Sequence, residues 1–328
     1  MTIKVESLHY GGIIVCYQCS AACRHCLYAC SPTRTSKYMD VETLRNICAI
    51  LRKKGCKEVH VGGGEPFTSP EKLIDIVKTI ISEGITVRFI ETNASWISDN
   101  STEILKELKK VGITSLCISV DPFHVEYVPF EKTLKLAKLC EDVGINFEFW
   151  QKGFIKTLSE LDKSKVYSRA ELEESLSPNY LKNIARAYGK KFRYIGRAIN
   201  IEMEYYPRQP VDDLIKNQPC SQLISGDHFH VDLYGDFISS FNCTGIRTPI
   251  AEITTGLSCG KYPVFEALYE KGTYGLLGYA KSKGFIPDAD GYTSTCALCF
   301  HVCKWLSTHA PSPELDKEYY TAALEYYD

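Results

Sequence analysis

Three cysteines fall within eight residues in Cys19-Ser-Ala-Ala-Cys23-Arg-His-Cys26. Their number is the informative part. A structural zinc site closes with four ligands and an ordinary iron–sulfur cluster also takes four cysteines, so three clustered thiolates suggest a metal centre with one open position. From spacing alone, Cys16 or Cys30 could instead complete a zinc site. A second ligand set lies late in the chain, in Thr295-Cys296-Ala-Leu-Cys299-Phe-His-Val-Cys303, with Cys220 and Cys243 upstream. Cys220, Cys243, Cys296 and Cys299 make four ligands, which zinc and an iron–sulfur cluster would accept alike. A third element is Gly62-Gly63-Gly64-Glu65-Pro66, where missing side chains let backbone approach a ligand closely and Glu65 adds a carboxylate.

The rest of the composition favours metal chemistry over disulfides. The chain has 328 residues, 45% of them hydrophobic and 24% charged, which excludes wholesale disorder. Against 40 acidic residues stand 38 basic ones, a formal charge of -2, so no global field would hold nucleic acid or an anionic membrane. No apolar run approaches the roughly 18 to 20 residues of a membrane helix, and the opening MTIKVESLHYGG lacks a signal peptide's apolar stretch; the expectation is a cytoplasmic protein. In that compartment 15 cysteines are not read as disulfides. Cys48, Cys56, Cys117 and Cys140 sit in apolar or periodic segments and read as small core residues.

These residues must be positioned by an α/β alternation that runs from about residue 10 to 200. Six strands are expected: Gly12 to Tyr17, Glu58 to Gly62, Thr86 to Glu91, Ser115 to Val120, Asn146 to Trp150 and Phe192 to Gly196. Between the first two, Asp40 caps a helix whose apolar face is Val41, Leu44, Ile47, Cys48 and Leu51. The next helix starts at Ser69-Pro70 and stops at Gly84. A linker follows in YYPRQPVDDLIKNQP, and His228 to Cys243 alternates and turns as a β-hairpin.

The CxxxCxxC segment after the first strand, together with GGEP after the second, resembles the radical S-adenosylmethionine (radical SAM) superfamily. The resemblance implies a partial (β/α)6 TIM-like barrel with a small C-terminal auxiliary iron–sulfur domain. Cys19, Cys23 and Cys26 would hold a [4Fe-4S] cluster whose open iron binds SAM, and reductive cleavage would give a 5'-deoxyadenosyl radical. Gly63, Gly64 and Glu65 would meet the methionine amino group, His25 the adenine, and Asn93, Ser119 and Asp121 the sugar or carboxylate; each of the last three could equally cap a helix.

The order Cys220, hairpin, Cys243, late CxxC looks like the auxiliary-cluster domain known as Twitch, a relative of SPASM. It implies a second [4Fe-4S] cluster on Cys220, Cys243, Cys296 and Cys299, although the segment from Gly235 to Cys243 is longer than usual and Cys303 is an additional thiol. The expected division is a barrel at 1–205, a linker at 206–219, the auxiliary domain at 220–305 and a C-terminal tail at 306–328.

Ser31-Pro32-Thr33, the run Ile118 to Asp121 followed by His124, and the auxiliary cysteine order are similar to radical SAM peptide epimerases. A ribosomally made precursor peptide is therefore the first substrate expectation, with an external electron donor of flavodoxin or ferredoxin type. The epimerases' thiol donor is missing beside Cys243, where Asn242 stands, leaving Cys30 and Cys303 as candidate hydrogen donors. A radical dehydrogenase of a small molecule and a zinc-stabilised binding protein without catalysis are the alternatives.

Overall fold

The computed structural model describes residues 2–189, 192–239 and 245–325. Among them, eight strands form one sheet: β1 (Tyr10–Ile14), β2 (Glu58–Gly62), β3 (Thr86–Thr92), β4 (Ser115–Ser119), β5 (Asn146–Trp150), β6 (His228–Asp232), β7 (Asp236–Ser239) and β8 (Thr248–Pro249). Their order is β5-β4-β3-β2-β1-β6-β7-β8. Strands β1 to β6 pair in parallel, and β7 and β8 close the edge antiparallel.

Parallel neighbours need crossovers, because a hairpin reverses direction. Helices α1 (Val41–Lys53), α2 (Pro70–Ser82), α3 (Ser101–Lys110), α4 (Pro122–Val125) and α5 (Phe130–Val143) supply them between β1 and β5. The architecture is a mixed α/β fold consistent with a partial TIM-like barrel. Asp40 caps α1 as expected, accepting from Thr43 N–H at 2.8 Å, and Leu44, Ile47, Cys48 and Leu51 are buried. Helix α2 begins at Pro70 after Ser69, although the Ser69 side chain makes no cap bond.

One strand expectation fails. Phe192 to Gly196 forms no strand; Phe192 N–H turns back to Gly189 O at 3.1 Å, and Gly196 takes φ 58, which ends any extended run. The sixth parallel strand is β6, the first arm of the expected hairpin, paired along its length with β1. The hairpin, expected within a separate domain at 220–305, is thus continuous with the barrel sheet through β6. Asp232 shapes its turn by accepting N–H bonds from Tyr234 and Asp236 at 2.9 and 3.0 Å, and also receives the Tyr17 hydroxyl at 2.8 Å.

Between β5 and β6 run α6 (Ile155–Ser159), α7 (Arg169–Ser175), α8 (Tyr180–Tyr188), α9 (Ala198–Tyr205) and α10 (Val211–Leu214). After β8 come α11 (Ile250–Ile253), α12 (Pro263–Ser282, interrupted at Gly272), α13 (Thr295–His309) and α14 (Lys317–Ala322). The last segment packs into the body of the fold: Tyr319, Tyr320, Ala322 and Ala323 are buried, and Asn200 Nδ2 donates to Ala323 O at 2.9 Å. Among the described residues, no helix is long and apolar enough to cross a membrane.

Candidate metal centre

The loop after β1 folds its three cysteines against backbone and amide donors. Cys19 and Cys23 are buried and Cys26 is half-buried. Ala21 N–H and Asn93 Nδ2 each point at Cys19 Sγ from 3.4 Å, and Cys30 N–H points at Cys26 Sγ from 3.3 Å. Burial, reinforced by the neighbouring thiols, pushes the Cys19 thiol well above its ordinary range and raises Cys23 as well. Cys26 is held well below it, chiefly by a hydrogen bond from the Cys30 thiol. A bound cation reverses the burial cost by deprotonating its thiols outright. The donor set of three enclosed sulfurs, two of them already receiving N–H bonds, suits a thiolate-ligated cluster.

The glycine turn after β2 is pressed against this loop. Gly64 N–H donates to Cys16 O at 2.8 Å and Glu65 N–H to Gln18 O at 3.0 Å. A Cβ on Gly64 would lie 2.0 Å from Gln18 O, and one on Gly63 would lie 2.6 Å from Cys16 O. The missing side chains at Gly63 and Gly64 therefore serve backbone-to-backbone contact with the cysteine loop. Glu65, 1% exposed, accepts from Asn93 N–H at 2.8 Å, Phe67 N–H at 3.1 Å and the Thr92 hydroxyl at 3.0 Å. Cys16 turns its thiol toward Glu65 O and Gln18 O.

Burial pushes the Glu65 carboxyl up from 4.5 to about 7 despite those donors. Because the folded value is the higher one, its stabilising contribution is present at acid pH and is lost as pH rises from about 5 through 7. The difference is worth roughly 3 kcal/mol. Urea titrations of the metal-free protein at pH 5 and pH 8 should show a decline that shrinks by about that amount in Glu65→Gln; equal declines in both proteins would refute the assignment.

Asp121 forms a charged cluster beside Cys23. One carboxylate oxygen caps α4, accepting from Phe123 N–H at 2.8 Å and His124 N–H at 3.1 Å. The other lies 3.0 Å from His124 Nδ1 and 3.3 Å from His25 Nε2, and receives the Tyr188 hydroxyl. Burial opposes its charge, but His124 and His25 hold the carboxyl well below the usual range. His124 is raised well above its ordinary value against its own burial, by Asp121 and Cys23. The His25 ring stacks on Phe123 at 4.7 Å, Asn93 points its amide at Cys19, and Ser119 is half-buried at the end of β4.

Sequence reasoning missed the two clamps on the loop. Arg24 Nε meets Glu126 at 2.9 Å, both side chains 5% exposed, and the Tyr180 hydroxyl reaches the same carboxylate at 3.3 Å. Arg197, fully buried, donates Nε to Cys23 O at 3.0 Å, and another guanidinium nitrogen donates to Cys30 O. A charge enclosed in the cysteine segment hinted at a partner for Arg24; Arg197 left no such signal. Removing one member of a buried ion pair typically costs about 3–5 kcal/mol. Glu126→Ala should destabilise the fold by that amount in urea titrations, and a change under about 1 kcal/mol would refute the clamp.

The late cysteines converge on one cavity of about 150 Å³, lined by Cys220, Cys296, Cys299 and Cys303 together with Tyr319 and Tyr320. Cys296, Cys299 and Cys303 sit three and four residues apart on α13, hence on one helical face. Cys220 is placed by its N–H bond to Leu268 O at 3.0 Å. Cys303 joins this group; Cys243 lies outside the described residues. The candidate donors are both engaged. Cys30 bonds the Cys26 thiol, and Cys303 bonds that of Cys299.

The family model for the Radical SAM superfamily matches residues 13–161. A GTP 3',8-cyclase of Haemophilus ducreyi is 26% identical over 166 residues, 48% of this chain and 46% of that protein. YydG of Bacillus subtilis, provisionally assigned to peptide biosynthesis, is 25% identical over 126 residues, 38% of each chain. The chain thus spans less than half the length of these curated relatives. Among solved structures, anSMEcpe with bound AdoMet gives a TM-score of 0.42 at 14% identity, covering 96% of this chain and 91% of that one. Streptococcus suis SuiB bound to precursor peptide SuiA gives 0.36 at 14%, covering 89% and 76%. The matched segment holds the cysteine loop, the glycine turn and the parallel strands β2 to β5 that present them, and over that segment the chain is similar to the radical SAM superfamily.

Proposed function

We propose that this chain is a radical SAM enzyme that reductively cleaves S-adenosylmethionine and uses the product radical to take hydrogen from a ribosomally made precursor peptide, ending in epimerisation, oxidation or a cross-link. The observation that carries the first part is the set of three enclosed thiols with N–H donors at Cys19 and Cys26. Cys19, Cys23 and Cys26 would hold a [4Fe-4S] cluster, and with SAM bound it supplies one-electron cleavage of that cofactor. The chain's own residues prepare the site. Asn93 polarises the Cys19 sulfur, while Glu65 ties the glycine turn to the end of β3 through Thr92 and Asn93. Asp121 keeps a proton on His124 next to Cys23.

The peptide reading rests on the partial similarity to YydG and on the motifs described from sequence. A small-molecule substrate is the second reading, favoured by similarity to GTP 3',8-cyclase. The test is incubation of reconstituted enzyme with SAM, reductant and peptides encoded beside its gene in deuterated water. A gain of one mass unit per modified residue indicates hydrogen return from an exchangeable thiol, Cys30 or Cys303, and hence epimerisation. A loss of two indicates oxidation or cross-linking. Turnover confined to a non-peptide metabolite would overturn the peptide reading, and a colourless protein binding only zinc would overturn radical chemistry altogether.

Cys220, Cys296 and Cys299, with Cys243 or Cys303, would hold an auxiliary [4Fe-4S] cluster. Replacing Cys296 and Cys299 by Ala should remove it and leave unproductive SAM cleavage by dithionite-reduced protein intact. Complete loss of 5'-deoxyadenosine from a folded variant that keeps its first cluster would contradict the separation of the two sites.

A further inference from the structure

Three histidines cluster outside both thiol groups. His228 and His230 are two apart on β6 and so share a face of the sheet, while β1 sets Gly12 opposite His230 on one side and His60 of β2 on the other. Strands two apart in a sheet are separated by about 9 to 10 Å, normally filled by the strand between. Here that strand offers Gly12. A Cβ added there would lie 2.4 Å from His60 Nε2 and 2.3 Å from His230 Cδ2, so the two imidazoles occupy the space that a side chain would take.

The three rings draw together: centroids are 5.2 Å apart for His60 and His230, 5.7 Å for His60 and His228, and 5.1 Å for His228 and His230. One nitrogen from each lies within 4.8 Å of the other two. His60 and His230 are buried and His228 is partly exposed. The Tyr10 hydroxyl contacts His60 Nδ1 at 3.0 Å, fixing that ring and leaving Nε2 for the centre, as outer partners of metal-bound imidazoles do. Glu91 stands 3.9 Å from His60 Nε2 and brings a carboxylate to the same side.

We infer that His60, His228 and His230 form a mononuclear site for a borderline divalent transition-metal ion, distinct from the thiolate centres and open at one position. Imidazole suits zinc and its first-row neighbours, and three protein ligands are the number that leaves a coordination position for water or substrate. Tetrahedral nitrogens at about 2.0–2.1 Å from an ion stand about 3.4 Å apart, so small imidazole rotations close the site. Tyr28, two residues beyond Cys26, packs its ring 5.4 Å from His230, which places the site next to the cysteine loop.

The holoenzyme, with both cysteine centres loaded with iron and sulfide, should retain one zinc per chain after gel filtration from zinc solution. Its zinc K-edge absorption should show nitrogen or oxygen near 2.0 Å with imidazole scattering and no sulfur near 2.3 Å. Changes to outer partners of a metal site cost about 10–100-fold, so Tyr10→Phe should weaken zinc by roughly tenfold, and His60→Gln, His230→Gln and Gly12→Ala by more than about a hundredfold. No retained zinc, a sulfur shell, or unchanged affinity in folded His230→Gln would overturn the site. If the variants fail to fold, the zinc spectrum of the unaltered enzyme decides alone.

Discussion

Joint replacement of Cys19, Cys23 and Cys26 by Ala is expected to abolish 5'-deoxyadenosine formation and to lower iron by about half, given four irons in each of two clusters. The late cysteines gather at a separate cavity, so the two ligand sets do not overlap. The fold should survive the change. Ala21 and Cys30 N–H groups lose a weak sulfur acceptor, but Cys19 N–H still bonds Ser31 O at 3.1 Å, Cys26 N–H still bonds Cys23 O at 3.0 Å, and Arg24 keeps its hold on Glu126. Iron content, electron paramagnetic resonance of the reduced protein and SAM turnover measured on one preparation make the comparison. Iron that stays at the unaltered level would show that these cysteines hold no cluster, and persistent 5'-deoxyadenosine would separate SAM cleavage from them.

Legibility in the sequence followed the range of the interactions. Asp40, the apolar face of α1 and the strands at Glu58 to Gly62 and Asn146 to Trp150 are written in contiguous residues, and the structure has them. The cysteine loop and glycine turn were legible because spacing and residue type are themselves local. What was not legible is pairing across the chain. The alternation of His228 to Asp232 announces a strand, yet nothing in those residues says that its neighbour is β1. Likewise Gly63 and Gly64 read as a cradle for a ligand, whereas the chain uses their missing side chains to lay one backbone on another. Asp121 could be read as a helix cap or as a ligand to SAM; the cap is present, and its second oxygen is taken up by His25, His124 and Tyr188. The three histidines were hidden for the same reason, since His60 and the His-Phe-His of β6 are far apart in sequence and meet only through Gly12.

Arg197→Met is expected to be the most damaging single change outside the ligands. The residue directly follows the segment Phe192 to Gly196, where a sixth barrel strand was expected, and the backbone there is shaped to thread its side chain under the loop. Gly196, at φ 58, has no room for a Cβ, which would lie 2.3 Å from Cys26 O, and Arg197 N–H donates to that carbonyl at 3.1 Å. The guanidinium then holds the carbonyls of Cys23 and Cys30 from below and reaches Ala322 O at 3.2 Å, so one side chain ties the metal loop to the end of α14. Hydrogen bonds from a charged donor are worth about 1.5–3 kcal/mol each, and the deserted carbonyls would stay buried, so a loss of roughly 3–6 kcal/mol is expected. Lysine should recover only part of it, because a single ammonium cannot reproduce a planar fork that reaches carbonyls on different segments. The loop's distinctive response is in iron: at a temperature where Arg197→Lys remains folded by circular dichroism, its reconstituted first cluster should be lost faster to a chelator than that of the unaltered enzyme, while the auxiliary iron leaves at an unchanged rate. Equal loss from both centres would mean that Arg197 supports the fold in general and not the cysteine loop in particular.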